Sequence, residues 1–221
     1  KALVFCIDAA NYRSYRGEPT VNALTYGYFP GTNTSSASTD WGHSGTQKWS
    51  YRDGSQEIPY KGLGLTDPRI VTFAGVGTWN DSGSGYLRNA AGSIVSGQSH
   101  TISFWYRFTG GNFSQINSQG IRIDADGGLG GGSFDFTLSY PGDLEWHYYS
   151  KTATSTSTSW TLNLYGSALS GVSGGSYFEL AAIQCEQKDH PTPFTATSRT
   201  TTTAITNISG VGAQGTDWIQ G

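Results

Sequence analysis

Trp105 and Arg107 alternate with Phe104, Tyr106 and Phe108 in one apolar-rich run. In a strand they point away from those rings. His147 and Tyr149 alternate in the same way with Trp146 and Tyr148, and Tyr165 is out of phase with Leu162 and Leu164. If the alternating partners fill the core, Trp105, Arg107, His147, Tyr149 and Tyr165 form one outward face. Exposed rings beside hydrogen-bonding groups suit saccharide recognition: a pyranose stacks its C–H face on an aromatic ring, and Arg or His binds its hydroxyls. Aromatics and Arg are equally enriched in subunit interfaces, so a face covered by loops or by another chain is the competing reading.

Other chemistry is thinner. Trp41, His43, Trp49, Tyr51, Trp79, Asn80 and Asp81 form a second aromatic and polar group in segments that read as loops at one end, which is where ligands often bind. Asp143 and Glu145 share a strand face beside a Pro-Gly turn, where carboxylates are normally solvated, and two carboxylates hydrolyse glycosides only across a suitable cleft. The Gly83, Ser84, Gly85 run lacks the spacing of a nucleophile elbow. Asp124 and Asp126 ahead of Gly127 and Gly128 have a faint calcium-loop pattern, but no third alternate ligand and no correctly spaced Glu follow, so a plain turn is expected. No catalytic residues and no cofactor are expected.

The elements that must position these residues are strands. The chain has 221 residues, 31 of them Gly, with 14% aromatic and only 13% charged residues, a balance that favours strands and turns over helices. A formal net charge of −3 argues against a nucleic-acid footprint. No run approaches the roughly 20 apolar residues of a membrane span. The chain starts at Lys1 and has no Met, so an excised or processed piece of a longer protein is expected.

Strand patterns cover residues 3–7, 21–26, 69–73, 100–108, 121–123, 134–140, 146–151, 160–165 and 177–186, separated by Gly-, Asn- and Pro-rich turns. With no helical pattern between them, they predict a sandwich rather than a parallel sheet. Residues 28–48 read as a long surface excursion. Beyond residue 198 the composition turns Thr- and Gly-rich, as in a linker or arm. The expected organisation is an N-terminal strand and connector over residues 1–19, a sandwich over 20–198 and a C-terminal arm over 199–221. Cys6 and Cys185 lie in the first and last strand patterns and are expected on neighbouring strands, read as two buried thiols with a disulfide as the alternative.

Two runs bracket the sandwich: Pro19, Thr20, Asn22, Leu24, Thr25 and Tyr26 near the start, and Gln184, Glu186, Thr192, Pro193 and Phe194 near the end. Together they resemble the opening and closing runs of carbohydrate-binding-module-like jelly rolls in bacteriophage tail and other virion structural proteins. The resemblance implies an all-β, jelly-roll-like antiparallel sandwich and a virion setting. It also implies other virion proteins and further copies of the chain as partners, with host-surface polysaccharide as ligand. Three roles follow as expectations: a non-catalytic structural or adhesin module that binds glycan, a purely architectural capsid-decoration or tail component, or a module of a secreted glycoside hydrolase.

Overall fold

The computed structural model describes residues 19–30, 42–44, 49–74, 86–91, 94–109, 122–126, 141–156, 158, 160–165 and 177–199. Its strands in chain order are β1 (Thr20–Val21), β2 (Gly42–Ser44), β3 (Trp49–Asp53), β4 (Arg69–Ala74), β5 (Tyr86–Ala91), β6 (Ser99–Thr109), β7 (Arg122–Asp126), β8 (His147–Thr154), β9 (Trp160–Tyr165), β10 (Tyr177–Glu186) and β11 (Ser198–Arg199). A five-stranded sheet runs β3-β4-β10-β6-β8, a four-stranded sheet runs β2-β5-β9-β7, and β1 pairs with β11. Every pairing is antiparallel. The fold is the expected all-β, jelly-roll-like antiparallel sandwich, with no helix among the described residues.

One face of the five-stranded sheet is a hydrophobic core. Ile102, Phe104 and Phe108 of β6, Phe178 and Leu180 of β10 and Val71 of β4 are all buried. Alternation and register put them on the same side, and burial of each stabilises the fold by about 1.5–3 kcal/mol. Cys185 lies opposite Ile102 and is a buried free thiol, while Cys6 and the strand expected over residues 3–7 lie outside the described residues.

The opposite face is covered in part by loops. Tyr60, Ile70, Trp146, Ala181 and Ala182 form a second cluster, against which Tyr28, Leu63, Leu65, Trp105 and Phe194 pack. Strand β10 carries a one-residue bulge between Ala181 and Gln184, with Ala182 at φ 53°. Two loops fix the bulge. The Tyr60 hydroxyl donates to the Arg69 carbonyl and accepts from the Ala182 N–H at 3.0 and 2.8 Å. The Gly27 carbonyl accepts from the Ile183 N–H at 2.9 Å, and the backbones lie so close that a Cβ on Gly27 would be 1.9 Å from the Ile183 carbonyl oxygen.

The two bracketing runs meet in a buried polar network. Asn22 uses all its side-chain capacity: Oδ1 accepts from the Leu24 and Cys185 N–H groups, and Nδ2 donates to the Ile183 and Thr195 carbonyls. Glu186 is fully buried and accepts from Thr20 Oγ1, Gln184 Nε2, Thr192 N and Thr192 Oγ1 at 2.7–2.8 Å. Gln184 Oε1 in turn accepts from the Thr195 N–H. These side chains staple the two bracketing runs to each other. The strand expected over residues 21–26 is correspondingly cut short at Val21, because Asn22 turns the chain inward through its own side chain.

Candidate functional site

Trp105 of β6 faces Tyr148 of β8 across the sheet, with ring centroids 5.3 Å apart and planes at 57°. The pair floors a cleft of about 440 Å³. One wall is Ile58, Pro59, Lys61 and Leu63 from the β3–β4 loop, and the other is residues 191–194. Tyr148 is 44% exposed, yet its hydroxyl end is linked to the buried Ser103, and burial pushes its pKa up to about 12. Ile58, 53% exposed, extends the apolar rim.

Both walls are held from beneath. Tyr60 anchors the β3–β4 loop in the second core and meets Phe194 of the other wall edge to face, with centroids 6.1 Å apart. Gly54 admits the Tyr60 ring, since a Cβ at that position would lie 2.8 Å from it. On the other side, Thr192 lines the cleft while its N–H and hydroxyl both donate to Glu186.

Beside the cleft lies an ion network. Arg52 donates through Nε and Nη2 to both oxygens of Glu179 at 2.6 and 2.7 Å. Arg107 Nε donates to the same carboxylate at 2.6 Å. Glu57 accepts from Arg52, Arg107 and the Trp146 indole N–H, and the Arg107 guanidinium lies 4.7 Å over the Trp146 ring. Burial would raise the Glu179 carboxyl, but its hydrogen bonds from Arg52 and Arg107 outweigh this and hold it below the usual range. Glu57 is depressed in the same way, burial being outweighed by Trp146 and Arg52. Arg52 itself is raised by its bond to Glu179. Carboxylates held ionised suit structure and poorly suit a general acid.

The five residues expected on one outward face do not share one. Trp105 and Arg107 do lie together, on the same side as Trp146, which is buried as its core phase implies, and Tyr148, which is exposed where a core position is expected. Arg107 is engaged by Glu179 and Trp146 rather than turned to the cleft. His147 and Tyr149 fall on the other side: Tyr149 stacks on Phe104 at 5.3 Å and 24°, and His147 sits 5.7 Å from Tyr106. Tyr165 is in the four-stranded sheet, paired with Tyr86 and Arg122. The cause is register. Trp105 pairs with Tyr148, not Tyr149, and directly opposed residues share a face. The sequence reading missed Tyr148, Lys61 and residues 191–194. The last of these lay in the closing run, whose role as a cleft wall composition does not reveal.

The remaining candidates disperse. His43 is on β2, whereas Trp49 and Tyr51 are on β3 of the other sheet, and Trp41, Trp79, Asn80 and Asp81 lie outside the described residues. Asp143 accepts from His147 Nε2 at 2.6 Å and from the Glu145 N–H, which lower its pKa, His147 foremost. Both Asp143 and Glu145 are exposed. Asp124 and Asp126 belong to β7, paired with Asn163 and Thr161, rather than to a turn. Among the described residues no three His, Cys, Asp or Glu gather as a metal site would need.

No family model matches the chain, and no curated protein sequence matches it. Among solved structures it is similar to the enzymatically active domain of tailspike protein 4 from bacteriophage CBA120, at 12% identity and a TM-score of 0.43 over 75% of this chain. The chain spans about a fifth, 21%, of that tailspike chain. It is similar to TmCBM61, solved in complex with beta-1,4-galactotriose, at 17% identity and a TM-score of 0.43, covering 76% of this chain and 99% of that one. A third is the C-terminal CBM6 of LamC from Zobellia galactanivorans, at 12% identity and a TM-score of 0.39, covering 76% and 97%. Carbohydrate-binding modules and a phage tailspike domain are thus among its structural neighbours. At these identities and scores the likeness carries no weight for the site, whose chemistry follows from its own residues.

Proposed function

We propose that the chain is a non-catalytic saccharide-binding module, acting as a structural or adhesin part of a virion. The observation that supports the binding is the Trp105–Tyr148 pair at the floor of a walled, largely apolar cleft. A sugar ring fits such a floor through its C–H face, with a gain of about 1 kcal/mol beyond area burial by analogy with aromatic pairs. Affinity per cleft is weak, and many copies on one particle supply avidity. The virion setting rests on the bracketing runs, and host-surface polysaccharide is the corresponding ligand.

The architectural reading draws on the same rim. Ile58 at 53% and Tyr148 at 44% exposure are also what a neighbouring virion protein or a second copy would cover. A glycan-array screen of the multimerised protein separates the two readings. Binding that is lost in Trp105→Ala and Tyr148→Ala supports the saccharide reading, and binding to no glycan by the folded protein supports the architectural one. Open reading frames next to the gene separate a virion part from a module of a secreted glycoside hydrolase.

A further inference from the structure

The lining of the cleft restricts which saccharide it suits. Among the described residues that form it, Lys61 alone carries a formal charge. Lys61 is exposed, and no described residue forms an ion pair with it. The Glu57 carboxylate, four residues earlier, is turned to Arg52, Arg107 and the Trp146 indole. The Lys61 backbone is fixed by its N–H, which donates to the Glu57 carbonyl at 2.9 Å, and by the turn at Gly62, φ +83°. Thr192, the polar residue of the facing wall, has both donors committed to Glu186. The cleft therefore presents an aromatic floor, largely apolar walls and one lysine among its lining residues.

Resting on the saccharide reading above, we propose that the ligand is an acidic saccharide of the uronate type. Its ring lies on Tyr148 and Trp105, and its carboxylate pairs with Lys61. A carboxylate gains a charge-assisted hydrogen bond there that a hydroxymethyl group does not, while a cationic amino sugar meets repulsion. Because the chain as a whole has a net charge of −3, the preference is local to the cleft and does not come from the overall field.

The test uses the full 221-residue chain and calorimetric titration with short oligogalacturonate, oligomannuronate and hyaluronan fragments, each beside its carboxyl-reduced counterpart. Array-selected neutral glycans serve as controls. At least one acidic form should bind about three- to tenfold more tightly than its reduced counterpart, in the range of a partly exposed ion pair. The gap should narrow in high salt, and it should close in Lys61→Gln, a surface change with an unaltered melting temperature. Equal affinity for acidic and reduced forms overturns the acidic assignment, a gap that survives Lys61→Gln overturns the pairing with Lys61, and either leaves the saccharide reading standing. Binding of no glycan, acidic or neutral, overturns both.

Discussion

Glu186 offers the sharpest test of how the domain is closed and how the cleft wall is held. Its carboxylate is fully buried and accepts four hydrogen bonds, from Thr20, Gln184 and, twice, Thr192. In Glu186→Ala the two hydroxyls can rotate, and Gln184 Nε2 keeps the Thr192 carbonyl at 3.2 Å. The Thr192 N–H has no substitute. One stranded N–H costs about 1–3 kcal/mol, and each of the three weakened bonds adds about 0.5–1.5 kcal/mol, so the loss should be about 2.5–7.5 kcal/mol. For a chain of this size, at about 2–4 °C per kcal/mol, that lowers Tm by roughly 5–30 °C. Glu186→Gln retains an acceptor for the Thr192 N–H, and its amide can donate to hydroxyls that turn to receive it, so the cost should be about 1–2 kcal/mol. Guanidinium denaturation with a shared m-value reads both. A loss below about 1 kcal/mol in Glu186→Ala would refute the network as the closure of the fold. The folded Glu186→Gln protein should also bind ligand more weakly, because Thr192 is part of the wall.

Three further outcomes are expected. The depressed Glu179 and Glu57 carboxyls contribute stability that is complete above the ordinary Glu value of about 4.5 and lost as pH falls through the folded values. Wild type should therefore lose Tm on acidification from pH 5 to 3 more steeply than Glu179→Gln, and parallel curves would contradict this. Gly27→Ala should leave little folded protein, because its Cβ would sit 1.9 Å from a backbone oxygen, whereas Gly97→Ala, strained only by φ +79°, should cost about 1 kcal/mol; near-equal solubility and Tm would show that the chain moves aside. Burial raises the Cys185 thiol well above its ordinary pKa, so in a Cys6→Ser chain it should resist a thiol reagent at pH 8 until denaturant is added, and prompt labelling would show that β10 opens.

Much of the sheet was legible because period-two alternation is local. The core phase of β6, with Ile102, Phe104 and Phe108 inward, is as the sequence indicates. What alternation cannot supply is how the phases of two strands align. In residues 146–149 three aromatics and a His occupy both phases, so composition offered no reason to place Tyr148 rather than Tyr149 beside Trp105. That choice is made by the β6–β8 register, a pairing between segments some forty residues apart. The bracketing runs were visible as a signature, but their physical role was not. Thr20, Asn22, Gln184 and Glu186 meet only when segments more than 160 residues apart come together. The same holds for Lys61 and residues 191–194, which reach one cleft from separate loops.

Ligand is expected on the Trp105–Tyr148 side of the five-stranded sheet. Backbone-amide NMR titration of the ¹⁵N-labelled chain with an array-selected glycan tests it most directly. The expected result is saturable shift changes at Trp105, Tyr148, Lys61, Leu63, Thr192 and Phe194, with Tyr149 and Phe104 little affected. Changes centred on His147 and Tyr149, or on Tyr165 in the other sheet, with the cleft residues unmoved, would contradict it.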